Sequence, residues 1–304
     1  MHSAQAGIFA LGTGSHSYVE FDLKPAIKEL DLVRVVASLR APSITTGGVN
    51  LVVGFGPELW ARVSPDQSPA NLEGFNVAMP GSEGFSMPAT QHDVWLWVAG
   101  HAYARIFDTA REAIRALDPV AVLADESEGW TYKDSRDLTG FIDGSENPSL
   151  PIAPEVALVA DGAPGAAGSI VLVQKWLHDA TAWEALPVSE QEKVIGRTKD
   201  NSTELSDEAR GPQSHVPRNI IEENGTEQHI FRRNTPFGTP STHGTMFVGF
   251  SADQHRLSRM LKRMAGAEDG IRDALTYYTT PVTGAYYFVP SVQALRSFAP
   301  TDDA

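Results

Sequence analysis

The chain has 304 residues, 42% of them hydrophobic, with no cysteine and a formal net charge of −14. That size and apolar content can build one large core or two ordinary ones, which excludes disorder as the default. The acidity argues against nucleic acid and anionic membrane surfaces as partners, and the missing thiols exclude disulfides, zinc–thiolate sites and iron–sulfur clusters.

Taken in chain order, Gly7 to Phe21 reads as a strand with a loop at Gly12-Thr13-Gly14. The residues before it lack the basic region and apolar core of an export signal, so a cytoplasmic protein is expected. No apolar run approaches the ~18 residues of a membrane span. A helix starts near Pro25, a residue suited to a first helical turn, and carries Ile27, Leu30, Val33 and Val36 inward. Gly47-Gly48 ends it before a strand from Val49 to Phe55. Val94 to Val98 is an apolar run stopped by Ala99-Gly100. The pattern beyond it places Ile106, Ala110, Ala113, Ile114 and Leu117 on one helical face.

Prolines and glycines cluster from Pro148 to Gly168, which marks a boundary. Ser169 to Val173 is a strand, and Ser189-Glu190-Gln191-Glu192 has the capping-box pattern of a short helix ending near Gly196. Lys199 to His229 is polar and without a sustained period; so long a loop in a compact protein points to function or disorder. Thr245 to Phe250 is a second apolar run, followed by Leu257, Met260, Leu261 and Met264 at helical spacing. It repeats the strand-then-helix of Val94 to Leu117 about half a chain later, which suggests two related α+β halves.

The most informative stretch is Gly140-Phe141-Ile142-Asp143-Gly144-Ser145-Glu146-Asn147-Pro148. Its glycines permit a sharp bend and a close approach to a ligand, so Asp143 reads as an acid/base group held on a turn. The plainer alternative is an Asp-Gly turn whose carboxylate caps the backbone. No pair of the nine histidines has the His-Glu-x-x-His spacing of a zinc hydrolase. Of the nine, His215, in Gln213-Ser214-His215-Val216-Pro217, sits deep in the long loop where Pro217 restrains the backbone, and His229 and His243 are its rivals as a ligand.

The nonapeptide resembles the GxxDG signature of dye-decolourising haem peroxidases, down to its Glu-Asn-Pro tail. The Ser214-His215-Val216 segment resembles that family's proximal-ligand segment, and Arg232-Arg233-Asn234-Thr235-Pro236-Phe237-Gly238 its second distal segment. Asp269 to Leu275 and Val282 to Ser291 resemble its C-terminal signature. The likeness runs from Gly7 to Ser291. The compact length resembles the bacterial cytoplasmic (B/P-type) branch.

The resemblance implies an α+β fold of duplicated ferredoxin-like halves, with antiparallel sheets covered by helices. Residues 1–148 would carry the GxxDG motif, and residues 149–304 would hold haem b. It implies His215 as the proximal ligand of the haem iron, with Gly144, Ser145 and Arg232 against the cofactor. Asp143 would be the distal acid/base, with Arg232 and Asn234 beside it. Arg233 is left as a solvated residue or a propionate partner, and a register error of one would exchange the two arginines. Asp273 is either the carboxylate that orients His215 or a surface aspartate.

The implied activity is reduction of hydrogen peroxide and oxidation of dyes, phenols or similar reductants through an oxyferryl intermediate, by a homo-oligomer. A carboxylate base stays ionised where an imidazole would not, since the two titrate near ~3.9 and ~6.5, so an acidic optimum is expected. The alternatives are a haem-handling protein with little turnover, a chlorite-dismutase-like enzyme, and a non-haem assembly protein.

Overall fold

A computed structural model describes residues 2–39, 48–133, 136–223 and 225–300. It is a mixed α+β structure. The first half runs β1 (Ser15–Leu23), α1 (Glu29–Ser38), β2 (Val49–Phe55), β3 (Val94–Gly100), α2 (Tyr103–Leu117) and β4 (Ala121–Trp130). Its strands are antiparallel in the order β4-β1-β3-β2.

The second half runs β5 (Ser169–His178), α3 (Val188–Ile195), α4 (His215–Asn219), β6 (Thr235–Gly238), β7 (His243–Ser251), α5 (Gln254–Met264) and β8 (Ala285–Val289). Its order is β6-β7-β5-β8, again antiparallel. Counted within each half, both sheets have the order fourth, first, third, second.

The two sheets meet at two narrow seams, Phe237 against Gly129 and Phe288 against Phe55, which closes eight strands into a ring. Alternation along the strands then sorts side chains to two destinations. Tyr18, Trp95, Trp97, Val173, Val248, Phe250 and Tyr287 fill the interior of the ring. Val19, Phe21, Val53, Leu96 and Val98 face outward, under Leu32, Val33, Val36, Ile106 and Ala110 of α1 and α2. Among the described residues no helix is long and apolar enough to cross a membrane.

Several expected boundaries move. Ala6–Phe9 is a 3-10 turn rather than strand, with Gly7 pressed against Val52. α1 begins at Glu29, four residues after Pro25, and this register buries Leu32 and turns Leu30 outward. Gly47 lies outside the described residues. The Ser189 capping box does not form, because α3 starts two residues earlier, at Val188 with Pro187 at its N-cap; Gly196 does close it, in the left-handed region at φ 96°. Lys199 to His229 holds the helix Asp207–Arg210, α4, and two three-residue strands, Ile221–Glu223 and Thr226–Gln228. Elements this short span too few turns to show a period.

Candidate active site

α4 carries His215 on its first residue. Ser214 before it is wholly buried and its hydroxyl bonds the Lys193 and Arg210 carbonyls, which ties the start of α4 to α3. At the other end Arg218 donates to both carboxylate oxygens of Asp269, at 2.7 and 2.8 Å, and to the Arg263 carbonyl. So braced, the imidazole places Nδ1 2.7 Å from Oδ2 of the fully buried Asp273. Asp273 Oδ1 accepts from Leu275 N at 2.9 Å, which fixes the carboxylate. With Nδ1 donating to Asp273, Nε2 keeps its lone pair, the state in which an imidazole binds a metal.

His215 lines a cavity that also admits Asp143, Gly144, Ser145, Arg232 and Asn234. The remaining walls are Gln174, Trp176 and His178 of β5, Thr245 and Phe247 of β7, and Met260, Leu261 and Met264 of α5. All six site residues read from the motifs are therefore on one cavity, and Asp273 stands behind His215.

Two of the motifs are tied to each other directly. Asn147 Nδ2 donates to the Arg232 carbonyl and Arg232 N donates to Asn147 Oδ1, both at 2.8 Å. The turn bearing Asp143 is thus hydrogen-bonded to the strand bearing Arg232. Gly140 and Gly144 on either side of Asp143 adopt φ of 87° and 80°, the left-handed region that costs an L side chain roughly 1–2 kcal/mol. Asn234 Oδ1 accepts from Val248 N at 3.2 Å, so Nδ2 is the donor it has left.

The adjacent arginines part company. Arg232 lines the cavity, and its buried Nε has no hydrogen-bond partner. Arg233 turns into the ring interior, where it is buried, lies 4.8 Å over the Trp97 ring and donates to the Gly7, Ile8 and Ala10 carbonyls. It is neither solvated nor on the cavity, which corrects both expectations for it. Burial holds its guanidinium down at about 10, and three carbonyls are the compensation for enclosing it. Successive residues of an extended segment face opposite ways, so Arg232 and not Arg233 reaches the cavity.

Neither rival histidine is backed by a buried carboxylate as His215 is. His229 is exposed where it lines the cavity, 3.6 Å from Glu227, and His243 Nδ1 donates to the Thr239 carbonyl. Sequence reasoning missed Asn147, which sat inside the quoted motif, and Arg218, three residues after His215. It also missed His178 and Asp137. His178 bonds Thr245 Oγ1 at 3.1 Å and is lowered to about 4, by burial and then by His243. A period-2 strand would have put His178 on the face of Trp176.

An imidazole held by a buried carboxylate, a second carboxylate on a glycine-flanked turn and a half-buried guanidinium around one semi-apolar cavity define a site for a bound redox group. Family models agree: "Dyp-type peroxidase, N-terminal" matches residues 5–131 and "Dyp-type peroxidase, C-terminal" residues 134–294. The dye-decolorizing peroxidase of Mycobacterium tuberculosis is 36% identical over 264 residues, covering 85% of this chain and 78% of its own. The crystal structure of a dye-decolorizing peroxidase from Bacteroides thetaiotaomicron superposes with a TM-score of 0.88 at 30% identity, covering 98% of each chain. A Rhodococcus jostii DypB variant solved in complex with heme has a TM-score of 0.85 at 34% identity, covering 94% of this chain and 96% of that one. The chain belongs to the Dyp-type peroxidase family.

Proposed function

We infer that the protein is a haem peroxidase in which His215 binds the haem iron and Asp143 is the distal acid/base. The observation that carries this is the single cavity shared by His215, backed by Asp273, and by Asp143 with Arg232. The lining suits haem. Arg232 Nε and Arg197 Nε are buried without partners, which fits an anionic ligand, while Phe247, Met260, Leu261 and Met264 offer apolar surface to a ring. Haem b, a cytoplasmic setting, a homo-oligomer and a division at residue 148 belong to the same reading and come from the sequence resemblance.

When bound, the haem supplies the iron at which peroxide is reduced and a dye or phenol oxidised. The protein's part is proton transfer and charge. The Asp143 carboxylate takes the proton from one peroxide oxygen and returns it to the other, so that water departs. Arg232, held by Asn147 through its backbone, stabilises the negative charge that develops as the O–O bond breaks. Asn234 Nδ2 orients the peroxide, and the walls from β5, β7 and α5 limit water.

The test begins with the visible spectrum of protein expressed with haem precursor. Wild type takes up the pigment with a Soret band and His215→Ala loses or strongly alters it. Asp143→Asn keeps the band and reacts with peroxide about 10²–10⁴-fold more slowly. A colourless wild type, or an Asp143→Asn protein as fast as wild type, refutes the reading.

A further inference from the structure

The loop before Asp143 is built around a second carboxylate. Arg136 bridges to Ile142, and Asp137 N donates to the Phe141 carbonyl at 3.0 Å, so residues 137–141 form a closed turn. The Asp137 side chain sits inside that turn. Its Oδ1 accepts from Thr139 N at 2.9 Å and from the Thr139 hydroxyl. The turn is held from outside by Trp183 Nε1, which donates to the Thr139 carbonyl at 2.9 Å, and by Arg136 Nη1, which donates to the Gly140 carbonyl at 2.8 Å. Asp137 lines the same cavity as Asp143. Thr139 and Phe141 are buried, so the turn has little freedom to relax.

We propose that Asp137 is the positioning residue for Asp143, folding the turn that aims it and sharing with it the negative charge of the distal side. The proposal rests on the reading of Asp143 as the base and deepens it. Other charged groups bear on the pair. Lys199 and Arg136 lie on its flank, with Glu184 and Glu192 around Lys199. Across the cavity stand Arg197 with Glu146, His215 and Arg232. Burial, and after it the Asp143 charge, push the Asp137 carboxyl up to about 6 against the Thr139 hydrogen bonds. Two carboxylates on one cavity hold one negative charge more readily than two. Below about pH 6 Asp137 therefore carries the proton; above it the Asp137 carboxylate adds its own charge to the distal side.

The experiment compares Asp137→Asn, whose amide keeps an acceptor for Thr139 without the charge, with wild-type holoenzyme. The rate of reaction with peroxide in wild type bends near pH 6. In Asp137→Asn the bend is lost and the acid-side rate is kept. Infrared difference spectra across the same range, without peroxide, lose a protonated-carboxyl band in the variant. Thr139→Val, which removes one hydroxyl bond to the carboxylate, moves the bend and the band to higher pH; this variant carries the test should Asp137→Asn fail to fold. A bend and band unchanged in Asp137→Asn, or unmoved in Thr139→Val, overturn the proposal. Asp143→Asn separates the two readings. If it reacts at the wild-type rate while Asp137→Asn still abolishes the band, Asp143 is not the base and the proposed function fails, whereas the carboxylate pair stands.

Discussion

The outer faces of the two half-sheets share one strand order but are covered to different extents, with α5 burying only part of the second. Over the first half, α1 and α2 press Leu32, Val36, Ile106 and Ala110 onto Val19, Phe21 and Leu96 until each is buried. Over the second, the corresponding face of β5 and β7 presents Gln174, Trp176, His178, Thr245 and Phe247 to a cavity. The cause lies in the connections. Among the described residues one helix links β1 to β2, whereas the much longer passage from β5 to β6 folds into short pieces that stand off the sheet as a wall. One of those pieces is α4, with His215. The facing wall, the Asp143 turn, follows the last strand of the first half. Stability is concentrated where the face is packed, and chemistry where it is left open.

That contrast breaks first under truncation. Ile106→Ala empties a site with no exposure and costs about 2–5 kcal/mol. Phe247→Ala, on a half-buried side chain facing the cavity, costs less than half as much; denaturant midpoints read both. Equal losses would mean that the second face is as tightly packed as the first. The next effect distinguishes the ring interior from the cavity. His16 is 3% exposed, accepts from Trp97 Nε1 at Nδ1 and meets the Thr13 carbonyl at Nε2, so it is held neutral. Burial is the largest cause lowering it to about 4 from 6.5; Arg233 adds to this and the Thr13 bond opposes it. A histidine whose folded value is depressed contributes stability that is present above its unfolded value and lost as pH falls toward the folded one. Here the window is pH 6.5 to 4, with a span of order 3 kcal/mol. His16→Gln flattens the unfolding curve over that window. A slope equal to that of wild type would show that His16 does not carry it.

These differences were unevenly legible in the sequence. β3 with α2, and β7 with α5, announce themselves because an apolar run followed by a long 3.6 period needs no tertiary knowledge. Their repetition suggests two halves, and the strand order of the second sheet repeats that of the first. The site residues were legible through the motifs alone: composition could not have chosen His215 among nine histidines. Arg233 shows the limit. A paired arginine in a polar stretch looks solvated, yet carbonyls near the N-terminus, far away in sequence, make burial tolerable. Asp137 was silent for a related reason, since an aspartate that folds its own turn has no pattern to distinguish it from any loop aspartate. α1 began late because Pro25 fits a first turn without compelling one.

The smallest effect concerns the tie between the two halves at the site. Asn147 trails the first half and Arg232 belongs to the second; their two hydrogen bonds are reciprocal, side-chain amide to backbone amide. Asn147→Ala leaves a partly buried N–H and C=O without partners, which costs about 1–2 kcal/mol in all. Asn147→Asp keeps the acceptor for Arg232 N but loses the donor to the Arg232 carbonyl, so about half of that loss is expected. Because the tie sets where Asp143 lies relative to Arg232, the reaction with peroxide should slow in the same order, alanine more than aspartate, while the Soret band stays put. The packed face offers no equivalent: Ile106→Ala should lower the unfolding midpoint and leave the peroxide reaction of the folded fraction unchanged. If Asn147→Ala instead behaves like Ile106→Ala, costing stability alone, then the open face is as passive as the closed one, and the cavity geometry does not depend on how the two halves are joined.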